Sequence, residues 1–143
     1  MQLTRFTDYG LRVLIHLCNQ QQGTRVGLDF LAEHFNMNRH HLHKVSQRLS
    51  QLGWITSARG KNGGIVLQPG ARQITLAEIV SELEETLEPI DCEGIECPIA
   101  SRCKLQGILG KASSAFLQVL AEYRLSDLQQ SDLQVIKKAF SFQ

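Results

Sequence analysis

Residues 39–67, RHHLHKVSQRLSQLGWITSARGKNGGIVL, decide the fold of this 143-residue chain. The first part has apolar residues at helical spacing, and they form one stripe: Leu42, Val45, Leu49 and Leu52. Gly53 ends this predicted helix, since glycine readily adopts the backbone angles found at a helix C-terminus. The segments 54–57 and 65–67 are rich in strand-forming residues, so they predict two strands joined by a glycine-rich turn.

Two more helices are predicted before this stretch. The first begins near Thr7, whose hydroxyl is a suitable cap, and carries an apolar stripe of Leu11, Leu14, Ile15 and Cys18. The second has apolar residues at Leu28, Leu31, Ala32 and Phe35 and ends at the polar turn 36–38. Three helices with a tight turn and a hairpin predict a mainly α protein with a winged helix-turn-helix domain over residues 1–72.

Charge is divided unequally between the two halves of the chain. Residues 1–72 carry nine Lys or Arg against three acids, a net +6, whereas residues 73–143 carry six against eleven, a net −5. A basic half suggests a polyanionic partner. Two solvated faces that happen to differ in charge would give the same totals. The position of the charges therefore has to distinguish this alternative from a polyanion-binding half.

The third helix has a polar face with no acid between Glu33 and Glu78. Side chains on this face can reach base edges or phosphates: Arg39, His40, His41, His43, Lys44, Gln47 and Arg48. The turn between the strands adds Arg59, Gly60, Lys61 and Asn62. An ordinary basic amphipathic helix is the alternative for the first set, and a phosphate-cradling loop for the second. A phosphate loop opens a helix, however, and this turn joins two strands. Both sets therefore predict binding to double-stranded DNA.

The second half, residues 73–143, predicts a helix over 74–87, an irregular loop and a long helix over 104–123. The long helix has a sustained apolar stripe: Leu105, Ile108, Leu109, Ala112, Phe116, Val119, Leu120 and Tyr123. A dimer seam is its natural use, because helix-turn-helix proteins commonly bind paired half-sites. Packing against the chain's own first domain is the alternative. The tail from Leu125 to Phe140 predicts a last amphipathic helix.

The loop carries three cysteines, Cys92, Cys97 and Cys103, with four and then five residues between them. Thiolates suit an iron–sulfur cluster, zinc or copper(I). Zinc knuckles use tighter spacing, and no histidine follows the third cysteine to complete a zinc site. A thiol redox switch is disfavoured by eight acids between Glu78 and Glu96, which raise thiol pKa values. The residues rank a cluster above zinc and free thiols, and they predict that Cys18 is buried and structural.

The opening residues 1–12, the wing 59–64 (RGKNGG) and the three cysteines together resemble the winged-helix iron–sulfur repressors, over nearly the whole chain. That family includes the nitric-oxide-sensing repressor NsrR and the cluster regulator IscR. The cysteine spacing is closer to the NsrR pattern. The IscR pattern has a histidine three residues after its third cysteine, where this chain has Gln106.

The resemblance implies a homodimeric repressor that binds an inverted-repeat operator and responds to nitric oxide. It implies one [2Fe–2S] or [4Fe–4S] cluster per subunit, held by the three cysteines. Asp8 of the other subunit matches the family's further ligand; a first-turn carboxylate serving the helix dipole is the alternative reading, and Glu85 is a less favoured ligand. An iron–sulfur or redox regulator with other target genes, or a zinc-stabilised DNA-binding module, remains as an alternative.

The sequence disfavours two other classes of protein. It has no Ser-His-Asp order, paired-carboxylate pocket or nucleotide fingerprint, so we do not expect an enzyme. Its longest apolar stretch, 13–18, is far too short to cross a bilayer, and no apolar leader opens the chain. A cytoplasmic location is the expectation.

Overall fold

The structure, a computed structural model, describes residues 2–92 and 94–130. In the first half, helix α1 (Arg5–Cys18) is followed by α2 (Leu28–His34) and α3 (Arg39–Gln51), and then by strands β1 (Ile55–Ala58) and β2 (Gly64–Leu67). The second half adds α4 (Leu76–Leu83) and the long α5 (Lys104–Ala121). Short 3₁₀ turns lie at Pro69–Gln73, Ala100–Arg102 and Leu125–Leu128. The predicted mainly helical winged-helix fold is confirmed.

Helix α1 begins earlier than the sequence suggested. Thr4, rather than Thr7, is the N-cap, and its hydroxyl accepts a hydrogen bond from the amide of Thr7 at 3.4 Å. Thr7 is fully buried. The capping prediction failed because both threonines precede the apolar stripe, and the carboxylate of Glu84 favours the outer one by accepting from its amide at 2.7 Å.

The core lies between α1, α3 and the hairpin, and it contains fully buried Leu14, Leu42, Leu49 and Ile65. Ile79 and Leu83 of α4 join the same core. Residues from both sides of position 72 therefore pack together, and the division of the chain into 1–72 and 73–143 stays a sequence-based prediction.

The hairpin is a two-stranded antiparallel sheet in which Ile55 pairs with Leu67 and Ala58 with Gly64. Ile55, Ile65 and Leu67 point into the core, whereas the turn between the strands projects outward. Val26, in the segment before α2, pairs with Ile65 and so attaches the base of the hairpin to the helices. The wing is thus anchored at its base and exposed at its tip.

Helix α4 is shorter than predicted: it ends at Leu83, and Glu84 is already extended. A capping box between Thr75 and Glu78 fixes its start. Its end is explained by charge, because Glu82, Glu84 and Glu85 lie at the negative C-terminal end of the helix dipole. The segment that leads to the cysteines therefore begins directly after Leu83.

Helix α5 ends at Ala121, two residues before the predicted end, and the chain then returns to the first domain. The amide of Leu76 donates to the carbonyl of Tyr123, and the amide of Leu125 donates to that of Ile74, both at 2.9 Å. Leu125 is fully buried. Residues 125–128 form a 3₁₀ turn instead of the start of an amphipathic helix, and residues 131–140 of that predicted helix lie outside the described residues. Among the described residues, none of the helices is long and apolar enough to cross a membrane.

Candidate nucleic-acid interface and cysteine segment

Helix α3 presents its polar face to solvent. Leu42, Val45 and Leu49 fill the core, and this orientation exposes the opposite side. Six of the seven predicted DNA-facing residues of α3 are exposed: Arg39, His40, His41, His43, Lys44 and Gln47. The seventh, Arg48, is partly buried. The helix therefore has the distribution of side chains that a major-groove reading helix needs.

The N-terminus of α3 is held by two contacts. The side chain of Asn38 caps the helix and accepts a hydrogen bond from the amide of His41 at 3.1 Å. The amide of Asn38 in turn donates to the hydroxyl of Tyr9 on α1 at 3.3 Å. The first turn of α3, whose residues would meet DNA first, is thereby fixed to α1.

The wing tip is built on glycine at two positions. Gly60 has φ +104°, which disfavours other residues. A side chain at Gly63 would lie 2.7 Å from the carbonyl oxygen of Ala58 and 2.8 Å from that of Gly60. Arg25, which sequence reasoning missed, steadies the tip by donating to the carbonyl of Asn62 at 2.7 Å. All four predicted wing residues, Arg59, Gly60, Lys61 and Asn62, are exposed.

A groove of about 830 Å³ separates α3 from the wing. Its lining includes basic groups from both sides, among them Arg39, His43, Arg59 and Lys61. The structure thus brings part of each predicted set to one groove: Arg39, His43 and Gln47 of α3, and Arg59, Gly60 and Lys61 of the wing. The other predicted residues do not line it: His40, His41, Lys44, Arg48 and Asn62. A groove with cations on both walls is suited to a polyanionic strand.

Two of the predicted DNA-facing arginines have acidic partners that the sequence did not reveal. Arg39 contacts the carboxylate of Asp29 on α2 at 2.6 Å. Arg48 contacts the carboxylate of Glu82 on α4 at 2.8 Å and the main-chain oxygen of the same residue. Both partners lie on other helices, so spacing along the chain carries no signal for either pair.

The three cysteines of the second half lie between α4 and α5. Cys92 follows the bend at Pro89, Cys97 precedes the 3₁₀ turn, and Cys103 is the residue before α5. All three are free and partly exposed. Neighbouring Ile95 and Ile99 are 68% and 63% exposed, so the segment carries apolar side chains that the described part of the chain leaves uncovered.

Acidic groups and the other two thiols surround Cys92. Desolvation raises the pKa of Cys92, and Cys97, Cys103 and the carboxylates of Asp91 and Glu88 raise it further. Such surroundings disfavour free thiolates and favour a bound cation, which supplies the missing positive charge. The donor chemistry therefore fits a thiophilic metal or cluster. Among the described residues, however, no three His, Cys, Asp or Glu side chains are already arranged around a common metal position.

Asp8 lies in the first turn of α1 and belongs to no group of three possible metal ligands among the described residues. Its carboxylate accepts a hydrogen bond from Arg12 at 2.8 Å. Its side chain is 44% exposed. A second chain could approach it from solvent. Glu85, the less favoured ligand, lines a separate cavity with Thr4, Phe6 and Arg48.

Cys18 is fully buried at the end of α1, as predicted. Burial raises the pKa of its thiol, and Arg72 opposes that change. Arg72 also donates to the carbonyl of Cys18 at 2.7 Å and to that of Gln20 at 3.0 Å. Arg72, which sequence reasoning did not single out, closes the end of α1 by satisfying these carbonyls.

Helix α3, the wing and the groove between them have the arrangement of a winged-helix domain, the fold of a class of transcription regulators. In agreement, the sequence matches the Rrf2 family, described as iron-dependent transcriptional regulators, over residues 3–131, and the chain belongs to this family. Its members are regulators of transcription and not enzymes, which confirms that expectation. The finer assignment to the NsrR type belongs to the proposal below.

Solved structures of similar proteins support the fold. CymR, the global cysteine regulator of B. subtilis, is 26% identical with a TM-score of 0.67, covering 90% of this chain and 95% of that one. The oxidized form of Staphylococcus aureus CymR is also 26% identical, with a TM-score of 0.72 and coverage of 92% and 98%. IscR of T. potens shares the fold at 21% identity, with a TM-score of 0.71 and coverage of 100% and 93%.

Proposed function

We propose that this chain is a homodimeric, nitric-oxide-responsive iron–sulfur repressor that binds an inverted-repeat operator. The observation that carries the proposal is the shared groove, where the exposed face of α3 and the wing converge. In this proposal α3 reads bases in the major groove, and Arg59 and Lys61 contact phosphates or the minor groove beside it. Asn62 and Gly60 allow the wing backbone to approach closely.

The exposed face of α5 supports the homodimer. Among the described residues, α5 contacts α4 but has no buried residue, which argues against the alternative that its apolar stripe packs on the chain's own first domain. Several apolar side chains of this segment are each about half exposed: Leu105, Ile108 and Val119 of α5, and Tyr123 just after it. A second copy of the same helix is a suitable partner, because two-fold pairing would also place two reading helices on one face.

Cys92, Cys97 and Cys103 are the residues that would hold a cluster, with Asp8 of a second copy as the further ligand. The free thiols, the raised pKa of Cys92 and the surrounding carboxylates support this assignment. A bound cluster would supply iron on which nitric oxide can act. To bind a cluster, Asp8 would have to give up its hydrogen bond with Arg12, and its exposure at the start of α1 permits that.

Two contacts link the cysteine segment to the DNA-binding elements. Glu82 holds Arg48 of α3, and Glu84 accepts hydrogen bonds from the amide and hydroxyl of Thr4 at the start of α1. Glu84 is the first residue of the segment that leads into the cysteines, and Glu82 lies just before it in the last turn of α4. A change in that segment would therefore shift α1 and α3, and half-site spacing tolerates only small shifts because it must match the helical turn of DNA.

The test is anaerobic purification followed by DNA binding with and without nitric oxide. We expect a coloured dimer containing iron and sulfide that binds a duplex selected from a random library and releases it when nitric oxide is added. A colourless protein with one zinc per chain would contradict the cluster. A coloured protein whose DNA binding ignores nitric oxide would instead favour a regulator of the same architecture with another signal.

A further inference from the structure

One acidic side chain lies in the otherwise basic groove between α3 and the wing. Asp29 is the single acid among the described residues that line it, whereas the cations include Arg39, Arg59 and Lys61. A carboxylate in this position repels the phosphates of an approaching duplex. Asp29 should therefore weaken DNA binding, unless another role of its carboxylate offsets this repulsion.

The carboxylate is paired with the first residue of the reading helix. An oxygen of Asp29, in the first turn of α2, lies 2.6 Å from a guanidinium nitrogen of Arg39, and the two side chains are 64% and 65% exposed. So exposed a pair contributes little to the free energy of unfolding. Arg39 is also poorly placed for the helix itself, because the N-terminus of a helix favours anions over cations. Asp29 is favourably placed at the positive N-terminal end of α2, but this does not require a contact with Arg39, and neither folding nor the dipole of α3 explains the pair.

We propose that Asp29 is a positioning residue that fixes Arg39 for reading a base and penalises unselective phosphate binding. This rests on the proposed DNA-binding function. The guanidinium has five N–H donors in a planar fork, so a carboxylate can hold one side while other donors remain for the acceptors of a guanine. A phosphate approaching Arg39 has to compete with the carboxylate or lie beside it. The selected sequence gains a fixed donor, and other sequences meet a repelling charge.

The test compares wild type with Asp29→Asn on two probes. One is a duplex of about 30 base pairs recovered by the wild-type protein from a random library, and the other is a scrambled duplex of equal length. Asp29→Asn should raise affinity for the scrambled duplex about five- to tenfold and steepen its salt dependence by about one released ion. Affinity for the selected duplex should change less than about threefold. The ratio of the affinity for the selected duplex to that for the scrambled duplex therefore falls.

A matched control separates positioning from net charge. Glu33→Gln removes an exposed acid of the same helix that does not line the groove. It should leave the ratio unchanged. Asp29→Glu should restore most of the wild-type ratio, and Asp29→Asn should have no effect on the ratio in an Arg39→Ala background. Equal shifts in Glu33→Gln and Asp29→Asn would overturn the proposal, as would an effect that persists without Arg39.

The experiment distinguishes failure of the DNA-binding function from failure of the role of Asp29. If the wild-type protein enriches no duplex from the library, the DNA-binding function is wrong and this proposal falls with it. If it enriches one and Asp29→Asn keeps the wild-type ratio and salt dependence, only the role of Asp29 is overturned. A uniform loss of affinity on both probes, with lowered melting temperature, would assign Asp29 to folding and would likewise overturn it.

Discussion

Arg48 of the reading helix is bound to Glu82 of α4 through three hydrogen bonds. Its guanidinium donates to the carboxylate at 2.8 Å and to the main-chain oxygen at 3.3 and 3.4 Å. Because two of the three bonds go to the main-chain oxygen, they connect Arg48 to the backbone of α4 as well as to the side chain of Glu82. Because α4 ends one residue later, at Leu83, the contact joins the reading helix to the start of the cysteine segment.

The first prediction tests this contact. Glu82→Ala removes the carboxylate but leaves every exposed cation of α3 in place. If Arg48 transmits the state of the cysteine segment, the ratio of DNA affinities between cluster-loaded and cluster-free protein should move toward one. Fluorescence anisotropy with a selected duplex measures both states. Glu78→Gln is the control in α4, since it removes an acid but keeps a side chain that can accept from the amide of Thr75, and it should keep the wild-type ratio. If Arg48 serves only as a phosphate contact, Glu82→Ala should raise affinity in both states equally.

The contrast between Arg48 and its neighbours shows which parts of the site the sequence could predict. Periodicity placed Leu42, Val45 and Leu49 inside, and this oriented the basic face correctly. It could not reveal the partners Asp29 and Glu82, because both pairs join residues that are distant in sequence and meet only through helix packing. The wing was equally predictable from the sequence, since glycines between two strand-forming segments are typical of a hairpin turn.

Helix ends were harder to predict than helix faces. Thr4 and Thr7 are both good caps by residue type, and only the contact with Glu84 decides between them. The end of α4 depends on three acids, Glu82, Glu84 and Glu85, at the negative end of the helix dipole. The cysteines were identified by type and spacing, but their arrangement in space depends on a loop with little local preference. Their ligand role therefore stays a prediction.

The second prediction concerns the wing cation Arg59. Arg59→Ala should weaken duplex binding and reduce the salt dependence by about one released ion, because an exposed cation at the wing tip releases a counterion when it meets a phosphate. Iron content should not change. Lys111→Ala removes an exposed cation on α5, outside the groove, and serves as the control. A parallel loss of iron in Arg59→Ala would show that the wing assignment is wrong.

The third prediction concerns the wing backbone. Gly63→Ala should lower stability by about 1–3 kcal/mol and weaken DNA binding, because the added methyl group would overlap two main-chain oxygens that cannot move independently. Urea unfolding and anisotropy measure the two effects. Gly70→Ala is the control, since a methyl group there meets no atom within 4 Å, and its stability should stay within about 0.5 kcal/mol. Equal behaviour of the two variants would mean that the turn tolerates a side chain.

The fourth prediction separates the two kinds of cysteine. Cys97→Ala should abolish iron binding but leave the melting temperature of the cluster-free protein almost unchanged, since the side chain is partly exposed and outside the core. Cys18→Ala should do the reverse: it should keep iron and lose about 1 kcal/mol, because it removes a fully buried sulfur. Iron analysis and thermal unfolding of both variants decide the matter. Full iron content in Cys97→Ala refutes its ligand role.

The fifth prediction follows from a pair of histidines on α1 and α2. The ring of His16 packs edge-on against His34 and Phe35, with ring centres 5.6 and 5.8 Å away. Burial lowers the pKa of His16, and repulsion from His34 lowers it further. The folded state therefore takes up this proton less readily than the unfolded state, whose histidine titrates near pH 6.5.

The sign of the pH effect is then fixed. As the pH falls below about 6.5, the unfolded state is protonated first, so the free energy of unfolding decreases until the pH is below the folded pKa as well. His16→Phe keeps an aromatic ring but cannot be protonated, and its urea midpoint should fall less than that of wild type between about pH 7.5 and 5. His40→Gln, at an exposed histidine of α3, should follow the wild-type curve. If His16→Phe and wild type lose stability in parallel, His16 is not the group responsible.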